Sequence, residues 1–357
     1  MKRFKSVSAA CFLTLLAAGT LIYSRQASEA VTDSIERCIG TVIPSLFAFM
    51  VISKLIIGSG AAKLISKPFD RLFSLLLCLP KGTASLFLIS NSAGYPVGVS
   101  MLGDMIHSGE TDKRSAEAMS IYCYSAGPAF IINAVGIGVY NNKRIGYVIL
   151  LSVLTTNLIL AAVVNRLYRP RVIASNQRQN SVLSSLLVNS VTDAGEALLM
   201  MCLIIVFFSV ITALLEAVGV LAAVKQLFSL GDTGLTILRS FLEVTRLTDL
   251  SPNAVGSISA AAAVIGSGGA CVLMQIKALI AGKFPLKLFL KWLPVRIILN
   301  YLLAELYAWL ILDNSLPAFS GEKHIIVEID NFVPSLCLIM MIFLLVFEKR
   351  VDFFKRV

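Results

Sequence analysis

The sequence predicts an all-α polytopic membrane protein, with about eight transmembrane helices and two re-entrant helical hairpins in an inverted-repeat transporter fold. Composition, loop charge and an internal repeat carry that expectation. Of the 357 residues, 57% are hydrophobic and 15% are charged, whereas soluble domains average about 25% charged. Several apolar runs approach the roughly 20 residues that cross a bilayer. Basic residues gather in short loops between those runs. The net charge of +10 therefore fits a positive-inside pattern better than a nucleic-acid surface. The expected partner is the lipid bilayer, with no nucleic acid.

The N-terminal Met1-Lys2-Arg3-Phe4-Lys5 precedes an apolar run from Ala9 to Tyr23. Residues 1–30 are expected to be a retained anchor rather than a cleaved signal peptide. Further spans are expected near 38–58, 119–140, 145–165, 195–220, 253–280, 290–312 and 331–347. Residues 84–106 and 234–250 are apolar too, but short or interrupted by Gly, Pro or charge. If 84–106 crossed fully, Arg166, Arg169, Arg171 and Arg178 would fall outside. Treated as a hairpin re-entering from the cytoplasm, it leaves that loop inside. A second hairpin at 234–250, re-entering from outside, places Lys283, Lys287 and Lys291 inside. Both termini are then cytoplasmic.

Val31-Thr32-Asp33 recurs as Val191-Thr192-Asp193. Each copy leads into a long apolar span, an amphipathic connector, a hairpin, a span broken by small residues and an uninterrupted span. The expected organisation is a first repeat at 31–168, a basic linker at 169–190 and a second, inverted repeat at 191–312. An outer loop, a last helix and a basic tail occupy 313–357. Inverted repeats with broken helices at matching positions point to secondary transport, with the solute held near the midplane.

The breaks supply the candidate site. Backbone without helical hydrogen bonds must face protein or a wet cavity, and helix N-termini at a hairpin tip favour an anion or a carbonyl oxygen. In the first tip, Gly94 and Gly98 allow close backbone approach. Asn91, Ser92 and Tyr95 offer polar groups. Ser125, Gly127 and Asn133 belong to the first broken span, and Ser267 and Gly268 to the second. The second tip holds Glu243, Thr245 and Arg246. Ionisable residues at that depth are costly and point to function: Glu243 for a proton or cation, Arg246 for a carboxylate. The other reading is that these two pair as a structural lock. Asn253 is a further polar position beside a broken span, and Glu305 lies in the last span of the second repeat.

The seven cysteines show no paired or metal-ligand spacing, and the two histidines are far apart. No nucleophile–His arrangement or phosphate loop appears, since Gly266-Ser267-Gly268-Gly269 lacks the Lys that would follow. The expectation is a non-enzyme with no metal and no cofactor; the coupling ion, H+ or Na+, is open, as is a homo-oligomer.

Ser92-Ala93-Gly94-Tyr95-Pro96-Val97-Gly98, Ser125-Ala126-Gly127-Pro128-Ala129-Phe130-Ile131, Val135-Gly136-Ile137-Gly138 and Leu242-Glu243-Val244-Thr245 resemble the sporulation integral membrane protein YlbJ family. The resemblance runs from about residue 35 to 312. It implies two nucleoside-recognition Gate repeats, related to concentrative nucleoside transporters. It also implies a place in the outer forespore membrane and dipicolinic acid, a planar pyridine dicarboxylate, as solute. A nucleoside carrier and a non-transporting sensor or anchor are the alternatives. Arg246-Leu247 depart from the small residue and glycine that often follow Glu-Val-Thr in that family.

Overall fold

The computed structural model describes residues 2–173, 183–250, 258–280 and 282–312. The expected span at 331–347, the basic tail and Asn253 lie outside them. The described residues are helical throughout, apart from turns, unwound breaks and one isolated bridge.

Helices α1 (Lys2–Ile22) and α2 (Ser24–Arg37) lead through a π-helical turn at Cys38–Val42 into α3 (Ile43–Gly58). Helix α4 (Ala61–Leu77) is amphipathic and turns Leu64, Leu72, Leu75 and Leu76 outward, as an interfacial helix does. It ends at Cys78, whose left-handed backbone lets its N–H bond back to Phe73. Next come α5 (Ala84–Ala93) and α6 (Tyr95–His107), separated by Gly94. Helix α7 (Lys113–Ser120) is capped by Asp112, whose carboxylate accepts from the Ser115 N–H. Hydrogen bonding from Ser115 holds that carboxyl below its ordinary range. After α7 the chain unwinds, then forms a π-helical segment at Phe130–Ile137. Helix α8 (Lys143–Tyr168) is capped by Asn142, whose Oδ1 accepts from the Arg144 N–H.

The second half passes through α9 (Leu183–Ala217), short α10 (Val220–Leu227), α11 (Asp232–Leu242) and a 3-10 turn at Val244–Asp249. It continues with α12 (Ile258–Ser267), a break at Gly268, α13 (Gly269–Ile280) and α14 (Lys287–Leu312). Helices α2 and α3 pack along α9, and α8 packs along α14.

Four stretches among the described residues are long and apolar enough to cross a membrane. They are Lys143–Tyr168, Ser184–Ala217, Ile258–Ile280 and Lys287–Leu312. A fifth is added if the pair Ser24–Val42 and Leu46–Ile56, bent by 55°, counts as one span. This is fewer than the sequence suggests, for physical reasons. In α1 the apolar part is short, Leu13–Ile22. The expected span at 119–140 is not one helix: the end of α7, the unwound stretch and the π-helical segment divide it.

Helices α5 and α6 fold back on one another. A side chain at Gly98 would strike both the Ser90 Cβ and the Cys123 carbonyl oxygen; along a straight helix residues 90 and 98 would be about 12 Å apart. The unit enters and leaves at the same end of α8. At its entry, the Leu77 and Leu76 carbonyls accept from Asn165 Nδ2 (3.2 Å) and Arg166 Nη2 (3.2 Å). Beyond its exit, the Glu110 carbonyl accepts from the Ile173 N–H (2.8 Å). The start of α14 is at that end as well, since the Leu288 N–H donates to Glu117 Oε1 (2.7 Å) and Trp292 Nε1 to the Tyr168 hydroxyl (3.2 Å). The basic stretches around Arg166–Arg171 and Lys283–Lys291 thus share one side of the molecule.

Candidate functional site

Both tips meet at one cavity of about 50 Å³. From the first half it takes Gly94, Tyr95, Pro96 and Gly127; from the second, Glu243, Thr245, Cys271 and Gln275. Val42, Leu46, Phe130, Met201 and Ile205 supply much of the apolar wall. One water needs roughly 10–15 Å³ on this scale, so the cavity holds a few waters. A solute of about a dozen heavy atoms would need the walls to part.

Gly94 makes the first tip. Its φ of 102° and ψ of 167° lie in a region essentially closed to L residues. Pro96 then sits in the first turn of α6, where a missing N–H costs nothing. Gly94→Ala is therefore expected to lower stability by about 1–3 kcal/mol through backbone strain. The larger Gly94→Leu would also collide with Leu46 Cδ2, which is 3.1 Å from where a Cβ would lie. A shift in thermal midpoint, measured in detergent, checks this; an unshifted Gly94→Ala would show that the tip tolerates a side chain.

The Tyr95 ring lies against Tyr124, with centroids 4.7 Å apart. Their hydroxyls donate to the carbonyls of Ile265 (2.5 Å) and Ser267 (2.7 Å). These are last-turn carbonyls of α12; that of Ile265 also accepts from the Gly268 N–H (3.2 Å). At Gly268 the backbone is left-handed, φ 71°, and a Cβ there would overlap the Tyr124 hydroxyl. Ser267 is buried; its Oγ donates to the Val264 carbonyl and accepts from the Gly269 N–H. Neither Ser267 nor Gly268 is part of the cavity lining; both hold the break in shape.

Asn91 is buried beside the tip, where its amide donates to the Phe87 carbonyl (2.7 Å) and its Oδ1 accepts from Asn157. Ser125 is buried and its hydroxyl turns to the Ala126 carbonyl (3.0 Å). Gly98 is a packing position, as the Ser90 contact shows. Ser92 and Asn133 are exposed and outside the lining. Glu305 is exposed as well.

In the second tip, Glu243 is 1% exposed. Ser209 Oγ donates to its Oε2 (2.8 Å) and the Thr245 hydroxyl to its Oε1. Arg246 Nε lies 3.5 Å from Glu243 Oε2, and Nη1 lies 3.5 Å from Asp249 Oδ2. Arg246 Nη2 donates to Ser209 Oγ (3.2 Å), and Arg37 reaches Asp249 at 3.0 Å. Arg246 is thus engaged with Glu243, Asp249 and Ser209, and it does not line the cavity. The geometry has the form of the structural lock.

The most buried cation among the described residues is not one that the sequence singles out. Arg296, 1% exposed on α14, donates from Nη1 to the Tyr124 carbonyl (2.9 Å) and from Nη2 to the Ile121 carbonyl. Its guanidinium carbon lies 5.2 Å from the Tyr124 ring centroid. It supplies donors to backbone that α7 leaves unpaired. A charge inside the run Trp292-Leu293-Pro294-Val295-Arg296-Ile297-Ile298 was the available signal. Among the described residues, no group of three or more His, Cys, Asp or Glu could hold a metal ion.

The chain is similar to the sporulation integral membrane protein YlbJ of Bacillus subtilis (strain 168), at 22% identity over 278 residues. The match covers 72% of this chain and 68% of that protein. It supports the relationship to the YlbJ family and, with the apolar helices, a location in a membrane. No family model matches the chain, and no solved structure does.

Proposed function

We propose that this chain is a secondary transporter that moves a small anionic or heterocyclic solute by alternating access, with dipicolinic acid as the leading candidate. The observation that carries this reading is the cavity, in which broken backbone from both halves converges on one small space. A scaffold gains nothing from unwound chain at that depth, where each unpaired backbone group costs several kcal/mol. The relative's printed name, a sporulation integral membrane protein, supports a role in sporulation; a place in the outer forespore membrane is part of the proposal and rests on the family resemblance alone. Two inverted Gate-like repeats, related to those of concentrative nucleoside transporters, are part of the proposal. The element order of the two halves and the packing of α2–α3 on α9 and α8 on α14 support them.

The hydrogen bonds divide the tips between two bodies. The first tip is tied to α8 and α12 through Asn157 and Ile265, and the unwound span beside it to α14 through Arg296. The second is tied to α9 and α2 through Ser209 and Arg37. Between them, α13 packs on both α6 and α9 and carries Gln275, whose Nε2 donates to the Met201 carbonyl at 3.4 Å. Parting along this seam would open the cavity to one side.

A second reading is favoured by one observation: among the described residues, the charged residue in the lining is Glu243, and no cationic side chain is there. Glu243, Thr245 and Gln275 suit the hydroxyls and ring nitrogens of a nucleoside. Uptake into vesicles holding the purified protein decides between them, with labelled dipicolinate and labelled uridine under sodium and proton gradients. Dipicolinate entry above protein-free vesicles is expected. Uridine entry alone would establish the nucleoside reading. Entry of neither under any gradient would overturn transport in favour of a sensor or anchor.

A further inference from the structure

We propose that an anionic solute travels between the central cavity and the surface along one face of α6, recognised by Lys54 and Lys283. This rests on the transporter reading and names the charge class its path selects. A second cavity, of about 20 Å³, lies beside the first and shares Pro96 as a wall. It is lined by Ser53, Lys54, Ser100 and apolar residues of α3, α6, α9 and α13. Lys54 is an ammonium inside the apolar run Phe49-Met50-Val51-Ile52-Ser53-Lys54-Leu55-Ile56. Such a residue marks an ion or substrate pathway by default.

Arg296 and Arg246 are less exposed than Lys54, and both are committed. Arg296 serves two carbonyls, and Arg246 is held by Glu243, Asp249 and Ser209. Lys54 is held more loosely. Nζ donates to Ser100 Oγ at 3.2 Å and lies 3.6 Å from Asp104 Oδ2, itself 42% exposed. Ser100, Gly103 and Asp104 share one face of α6, being three and four residues apart. The exposed Lys283 lays its chain along that face, with Nζ 3.2 Å from where a Gly103 Cβ would lie. From Pro96 to Gly103 is about 10 Å of helix. The sequence of features is cavity, Pro96, Lys54, Lys283 and open surface.

The basic stretches that share this end of the molecule are those the loop charges place in the cytoplasm. The path therefore draws an anion from that side. A cleft of net positive charge, here two ammonium groups against the Asp104 carboxylate, raises the local concentration of an anion and its entry rate, by about 10–10³ where one sign of charge lines it throughout. It also explains how a solute of negative charge reaches a cavity whose lining holds a carboxylate.

The test places cysteine at Ser100 in the full-length protein in vesicles. It compares membrane-impermeant methanethiosulfonates carrying a sulfonate or a quaternary ammonium, with residue 100 followed by peptide mass spectrometry. The sulfonate is expected to react about tenfold faster, and adding Lys54→Gln is expected to abolish that preference. In otherwise unaltered protein, Lys54→Gln should cut dipicolinate uptake about tenfold and Lys54→Arg should restore it. Absence of labelling at residue 100, or equal labelling by both reagents, would overturn the path. So would unchanged dipicolinate uptake by Lys54→Gln. If the charge preference holds but no solute enters wild-type vesicles, the path stands and the transport reading falls.

Discussion

Arg296→Leu is expected to cost roughly 2–4 kcal/mol, the largest single-residue loss of stability foreseen for this protein. Two terms oppose each other. Removing a buried guanidinium relieves the cost of keeping a charge from water. Against that, the Ile121 and Tyr124 carbonyls lose their charged donors, and each buried unpaired group costs about 1–3 kcal/mol. The Tyr124 carbonyl keeps Asn157 Nδ2 at 3.3 Å, whereas the Ile121 carbonyl has no second side-chain donor among the described residues. The stacking on Tyr124 goes too, and that ring holds the α12 break through its hydroxyl. The losses outweigh the relief because the carbonyls sit in unwound chain that cannot re-form a helical ladder. The check is the thermal midpoint of detergent-solubilised protein. Arg296→Lys, which keeps one cationic donor group, should fall between wild type and Arg296→Leu. A wild-type midpoint for Arg296→Leu would mean that the break holds itself.

That prediction rests on a residue the sequence shows but does not explain. The first tip was legible because its residues announce themselves: Gly94 and Pro96 interrupt an apolar run, and a turn with positive φ needs a glycine. The shared side of the basic stretches was legible as well, because charge in short loops follows one rule along the whole chain. Partners in space were not. Asn157, Ser209, Gln275 and Arg296 each lie alone in an apolar helix, and their roles depend on which helix faces them. A helical period does not give that facing. Ser92 and Asn133 show the converse. Both lie at breaks, as the sequence indicates, yet their side chains turn outward from the cavity. The sequence of 119–140 suggests one broken crossing; unwound carbonyls held by Arg296 explain why that break survives.

Arg246→Ala is expected to weaken folding first and transport as a consequence, contrary to the carboxylate clamp that Arg246 suggests in the sequence. With the guanidinium gone, Glu243 keeps the hydroxyls of Ser209 and Thr245 but loses its cation. Breaking a buried pair costs about 3–5 kcal/mol. The 3.5 Å approach and the 14% exposure of Arg246 reduce that, so about 1–3 kcal/mol is expected. Glu243→Gln removes the uncompensated charge while keeping an acceptor and a donor in place. The double variant Glu243→Gln/Arg246→Ala should therefore recover stability, with a coupling of at least about 1 kcal/mol between the two positions. Uptake should stay low in it, because Glu243→Gln removes the carboxylate that the sequence points to as the site of a coupling proton or cation. Thermal midpoints and initial uptake rates for all four members of the cycle check this. A single Arg246→Ala protein with an unchanged midpoint and abolished dipicolinate uptake would instead place the guanidinium on the solute. The lock and the clamp thus differ in a quantity that folding alone reports, before any solute is added.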